Sequence, residues 1–109
     1  MNIETDFLVI GSGIAGLSYA LKAAEVGKVI IVTKGEMNEC NTDYAQGGIA
    51  SVMYEPDTFE KHIQDTLVCG AGICDRAAVE QVVTHAPSVI KELIAYGVKF
   101  DKEGSGRYE

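Results

Sequence analysis

The sequence predicts an α/β fold: a parallel βαβ unit continued by helices. Three observations carry this. Two short, unbroken apolar runs, 6–10 (DFLVI) and 29–32 (VIIV), suit strands buried on both faces of a parallel sheet. The glycine turn Gly11-Ser12-Gly13-Ile14-Ala15-Gly16 directly follows the first run. Between the runs, Ile14, Leu17, Leu21 and Ala24 recur at helical spacing and are expected to pack on the sheet.

The elements follow in order. The first strand is predicted at 6–10 and its helix from the glycine turn to about Val26. Gly27 is placed to stop that helix in a left-handed cap. The second strand is predicted at 29–32, with a right-handed crossover. Residues 34–53 show little periodicity and are rich in Gly, Asn, Thr and Ala. They read as a long ordered loop with one helical turn, and loops of that length are usually functional. Asp57 and Glu60 form a D-x-x-E helix start, followed by Phe59, His62, Ile63, Thr66 and Leu67 on one face. Gly70 and Gly72 break that pattern. Asp75 caps a helix over 76–85, Pro87 opens another over 87–96, and Gly97 ends it. A short strand is predicted at 98–100, then a polar, flexible tail.

Composition excludes several classes. The 109 residues allow one small domain at most. A net charge of −7, from 9 basic and 16 acidic side chains, leaves no basic face for nucleic acid and no polybasic anchor for an anionic membrane. No apolar run approaches the roughly 18–20 residues that span a bilayer. The acidic start MNIETDF is no signal peptide. Three cysteines, Cys40, Cys69 and Cys74, fit reduced thiols and a cytoplasmic location better than a disulfide framework. They lack metal-ligand spacing, so no metal site is expected.

The fingerprint carries the first chemistry. Gly11 permits the tight turn, Gly13 lets backbone approach a pyrophosphate, and Gly16 lets helix and strand pack closely. Amides of Ser12, Gly13, Ile14 and Ala15 then face the ligand at the positive end of the helix. The fingerprint usually ends in an acidic residue on the second strand that binds a ribose hydroxyl. Here that position is Thr33-Lys34, and the carboxylate is absent unless Glu36 reaches back. A simple nicotinamide site is therefore disfavoured.

The stretch 41–50, NTDYAQGGIA, is the second signal. Together with Gly11 to Gly16, Thr33-Lys34-Gly35 and DTLVCGAGICD over 65–75, it resembles the succinate dehydrogenase/fumarate reductase flavoprotein superfamily, and within it the L-aspartate oxidase branch. The resemblance implies a Rossmann-like FAD-binding unit. Residues 1–109 would be the N-terminal part of an FAD-binding domain, an incomplete domain without its remainder and capping domain. It implies FAD contacts at Ser12, Gly13, Ile14, Ala15 and Lys34, and along the loop Asn41, Thr42, Asp43, Tyr44, Ala45, Gln46, Gly47 and Gly48. Covalent members of the superfamily carry His where Asn41 stands, so the implied FAD is noncovalent.

The implied activity is oxidation of a small dicarboxylate, L-aspartate, to iminoaspartate, with oxygen or fumarate as acceptor. Quinolinate synthase would be the next enzyme, and a partner, in NAD biosynthesis. No catalytic residue is assigned within this stretch, and the piece alone is expected to be inactive. Two rivals stand beside this reading: a fumarate reductase or succinate dehydrogenase type flavoprotein, and a noncatalytic FAD-binding module. His62, His85, Cys40, Arg76 and Arg107 read as surface or packing residues, with Arg76 in the first turn of its helix.

Overall fold

The computed structural model describes residues 2–45 and 47–108. The chain divides into two units, Met1–Gly48 and Ile49–Glu109.

In the first unit, β1 (Phe7–Ile10) and β2 (Val29–Val32) pair in parallel, with Phe7 opposite Val29 and Ile10 opposite Val32. α1 (Ile14–Ala23) connects them. The expectation of strands buried on both faces fails for both strands: no residue of β2 is fully buried and Val32 is 49% exposed, and β1 buries one residue only. Val9 is buried, whereas Leu8 is 58% and Ile10 83% exposed. The strand alternates because α1 comes against the Val9 side.

The face of α1 that packs is also not the one expected. Ala20 and Ala23 are buried, whereas Ile14 and Leu21 are about half exposed and Ala24 is exposed. Gly16 explains the choice. A Cβ there would lie 2.3 Å from the carbonyl oxygen of Gly11 and 3.3 Å from Cγ1 of Val9. Helix and strand approach so closely that only small residues fit between them.

The helix ends earlier than predicted, with Ala24 as C-cap in right-handed geometry. Gly27 is not among the left-handed glycines. It bonds back to the carbonyl of Ala23 at 3.0 Å. A side chain there would collide with the Phe7 ring at 2.8 Å and with Asp6 at 3.0 Å. Glycine is therefore required by packing against the start of β1, not by a left-handed cap. Asp6 fastens the same corner, its carboxylate accepting from the Lys28 amide at 2.8 Å.

In the second unit, α2 (Phe59–Cys69) packs on α3 (Arg76–Ala95). The α2 cap is Thr58, one residue past the predicted start. Its hydroxyl accepts from the Lys61 amide at 3.2 Å. Asp57 instead takes the Thr58 amide at 2.9 Å. On the predicted face only Ile63 is buried, and Phe59 is exposed. Past α2, Gly70 sits so close to Cys74 that a Cβ would overlap its Sγ, and Ala71 and Gly72 turn through positive φ.

Two predicted helices at 76–85 and 87–96 are one. Asp75 caps it as expected, accepting from Ala78 at 3.0 Å. Pro87 then lies inside the helix. A proline there removes one backbone hydrogen bond and costs about 3 kcal/mol against alanine. The helix continues because its apolar stripe continues: Val83 and Ile90, one on each side of Pro87, are both buried. Gly97 ends it with φ +101, its amide bonding Ile94 and that of Val98 reaching Leu93.

Residues 98–100 form no strand. The tail instead folds back as a turn, with an antiparallel bridge between Lys102 and Tyr108. Glu103 and Arg107 close it at 2.9 Å, Gly106 turns at φ +83, and the Phe100 and Tyr108 rings meet edge to face. Aromatic contacts thus order a segment whose polar composition predicted flexibility.

Candidate functional site

The site is built at the carboxyl ends of the two strands, entirely within the first unit. The amide of Gly11 donates to the carbonyl of Val32 at 2.8 Å, which sets the glycine turn beside the end of β2. Past β2, the Thr33 hydroxyl donates to the Gly35 carbonyl. The chain then turns, with Glu39 bonding back to Glu36 at 3.0 Å. A single turn at 41–44 follows, in which Asp43 and Tyr44 bond back to Cys40. The loop thus holds a hydrogen-bonded turn where one turn of helix was expected.

These segments enclose a cleft of about 720 Å³. Its walls are Ile10 to Gly13 from the glycine turn, Val32 to Lys34 from the strand end, and Glu39, Cys40, Asn41 and Tyr44 from the loop. A cleft of this size is ample for a cofactor-sized ligand.

The three fingerprint glycines have different reasons to be glycine. Gly11 has φ +107, which a side chain would strain. Gly16 has no room for a Cβ against Gly11. Gly13 has an ordinary φ of −70, and a Cβ there would meet only Thr42 at 3.7 Å, a normal contact. Nothing in the protein's own packing demands glycine at position 13. What glycine supplies there is clearance for something entering from the cleft.

The electrostatics agree. Gly13 is the N-cap of α1 and offers no side-chain cap. The Ile14 amide is satisfied from a distance, by the hydroxyl of Thr42 at 3.1 Å. The amides of Ser12 and Gly13 have no acceptor among the described residues, nor has the hydroxyl of Ser12, although the residue is only 5% exposed. Donors so placed at the positive end of a helix suit an anionic group, and a pyrophosphate fits them.

Of the residues singled out from sequence, Ser12, Gly13, Lys34, Asn41 and Tyr44 line the cleft together. Ile14 and Ala15 begin α1, and Thr42 ties the loop to that helix. Asp43, Ala45, Gly47 and Gly48 are exposed and lie outside the lining, with Gly47 at φ +131. Gln46 lies outside the described residues. Gly11 of the turn, Thr33 at the ribose position and Cys40 beside the loop, all legible in the sequence, line the cleft too, and they are joined by Ile10, Val32 and Glu39, which sequence reasoning missed. Glu39 had a signal that went unused: it is an acid just past a short turn from the strand end.

The other polar candidates have local partners. Arg76 bonds Glu80 at 2.7 Å and Glu60 at 3.4 Å, and these hydrogen bonds, Glu80 first, raise its pKa above the ordinary arginine value. His85 contacts the Gln81 carbonyl at 2.8 Å. Arg107 stacks over Tyr54. His62 borders an apolar cavity of about 380 Å³ beside Thr66, Cys74 and Val83 in the second unit.

A βαβ unit with a glycine turn, turn amides that find no acceptor among the described residues and a cleft at the strand ends defines a dinucleotide-binding protein. Comparison with known proteins narrows the class: the chain belongs to the FAD binding domain family, which it matches over residues 6–109. It is 55% identical to L-aspartate oxidase of Vibrio cholerae over 100 residues, 92% of this chain and 19% of that protein. It is 52% identical to the chloroplastic L-aspartate oxidase of Oryza sativa subsp. japonica over 102 residues, 94% of this chain and 16% of that protein. The chain thus spans less than a fifth of either relative. Among solved structures it resembles a FrdA variant of E. coli quinol fumarate reductase, with TM-score 0.88 and 28% identity, covering 98% of this chain and 19% of that one.

Proposed function

We propose that this chain is the FAD-binding part of an enzyme that oxidises L-aspartate to iminoaspartate. The observation that carries the reading is the pair of amides at Ser12 and Gly13, without an acceptor among the described residues and facing a cleft whose far wall includes Asn41 and Tyr44. Identity of 52–55% to two L-aspartate oxidases supports the choice of substrate.

Held by the residues of this cleft, FAD would supply the two-electron acceptor for the substrate Cα–H bond, with oxygen or fumarate as final acceptor. The residues of this chain bind and orient. Ser12 and Gly13 donate to the pyrophosphate, with Ile14 and Ala15 behind them supplying the helix start. Lys34 adds a positive charge at the strand end. Thr42 holds the loop against α1, so that Asn41 and Tyr44 meet the cofactor from the other side. Asn41 carries an amide, not an imidazole, so the cofactor is held noncovalently. The imine product then passes to quinolinate synthase. A cytoplasmic location fits this reading, since Cys40, Cys69 and Cys74 form no disulfide among the described residues.

The test uses the intact protein. It is expected to purify with a flavin absorbance band and to release peroxide with L-aspartate. Succinate oxidation without aspartate oxidation would favour the dehydrogenase rival. A protein that takes up FAD and turns over neither substrate would be a binding module, and one that takes up no FAD would end the reading.

A further inference from the structure

We infer that Glu39 supplies the ribose-binding carboxylate that the end of β2 lacks. The inference rests on the FAD reading of the cleft. Dinucleotide sites of this kind usually carry an acid at the end of the second strand, where it accepts hydrogen bonds from the adenosine ribose. Here the strand ends Val32-Thr33-Lys34-Gly35. The structure delivers a carboxylate to that place by another route.

The backbone turn from Glu36 to Glu39 folds the chain back on the strand end. The Glu39 side chain then lies over Gly35, with Oε2 only 3.3 Å from where a Cβ of that residue would stand. Gly35 has no positive φ, so its glycine is explained by room for this carboxylate and not by backbone strain. Glu39 also lines the cleft beside Val32, Thr33 and Lys34. Among the described residues its carboxylate makes no ion pair and no hydrogen bond.

Charge decides which part of the ligand meets it. A carboxylate repels phosphate, and the pyrophosphate is drawn to the Ser12 and Gly13 amides at the glycine turn. The strand end is the ribose end of such a cleft. An ionised carboxylate has two oxygens and accepts only, which suits a vicinal diol with two donors. Glu36, the acid first considered for this place, does not line the cleft.

The test measures affinity and needs no turnover. The intact protein, its Glu39→Ala and Glu39→Gln variants and Gly35→Ala are titrated with FAD, ADP and 2′,3′-dideoxy-ADP. The wild type is expected to prefer ADP over the dideoxy analogue by about tenfold, the usual size for hydrogen bonds to a charged group. Glu39→Ala is expected to bind both analogues equally and FAD about tenfold more weakly. Glu39→Gln keeps the size and one acceptor and is expected to lose part of the preference, as is Gly35→Ala, whose methyl displaces the carboxylate. Should Glu39→Ala fail to fold, Glu39→Gln decides alone, and full retention of the ADP preference overturns the inference. A wild type that binds FAD yet ignores the ribose hydroxyls overturns the role of Glu39 and leaves the cofactor reading intact. A wild type that takes up no FAD ends that reading and this inference with it.

Discussion

The hydroxyl of Thr42 accepts the amide hydrogen of Ile14 at 3.1 Å, joining two residues 28 positions apart in the chain. A helix start whose own N-cap is glycine is thereby capped from outside, by the loop that forms the opposite wall of the cleft. One hydrogen bond serves both walls.

Thr42→Val removes that acceptor while keeping the shape of the side chain. Lost caps cost about 0.5–2 kcal/mol, so urea unfolding of the intact protein should show a loss of about 1 kcal/mol. FAD affinity should fall as well, because the loop is no longer held to α1. Thr42→Ser should restore both. A Thr42→Val protein with unchanged stability and affinity would show that the contact does nothing.

Gly13→Ala and Gly16→Ala should separate cofactor binding from folding. At position 16 the new methyl meets backbone at 2.3 Å, so stability should fall by about 3 kcal/mol or more, in the range of overpacked cores. At position 13 it meets only an ordinary contact, so stability should change by about 0.5 kcal/mol at most. FAD binding by Gly13→Ala should nevertheless weaken by about tenfold or more, equivalent to about 1.4 kcal/mol. Thermal melts without FAD and titrations with it read the two effects. Equal losses of stability in both variants would refute the assignment of roles.

Pro87→Ala should stabilise the second unit. Alanine restores an amide to a helix interior and gains up to about 3 kcal/mol, less about 0.4–1 kcal/mol for the freer unfolded chain. A rise of about 1–2 kcal/mol in unfolding free energy is expected. A lower melting temperature would mean that the proline ring itself packs favourably.

Ile63→Ala should destabilise α2 against α3. Ile63 is 4% exposed, and such truncations cost about 2–5 kcal/mol. Because Ile63 is remote in sequence from the glycine turn, FAD affinity of the folded fraction should be unchanged. Calorimetry with and without FAD distinguishes a stability defect from a binding defect.

Acid precipitation should leave all flavin in the supernatant. Asn41 provides no ring nitrogen for a covalent bond to the cofactor. Flavin fluorescence remaining in the washed pellet would contradict noncovalent binding.

What the chain determined by itself is local. Unbroken Val and Ile runs specify strands, Gly11 specifies a turn only glycine adopts easily, and Asp75 and Gly97 mark the ends of a helix with short-range hydrogen bonds. Such signals are legible because they act over a few residues, and they sufficed to place the glycine turn and the ligand class. The tertiary structure decided whatever depends on neighbours distant in sequence. α1 turns Ala20 and Ala23 inward because the strand lies too close for larger side chains. α3 runs through Pro87 because Val83 and Ile90 are buried on either side of it, an effect no local propensity contains. Thr42 reaches the start of α1, and Glu39 reaches the end of β2, only after the loop has folded back. Packing and long-range hydrogen bonds thus set which side chains face the cleft, because each depends on an approach between backbones that spacing along the chain does not encode.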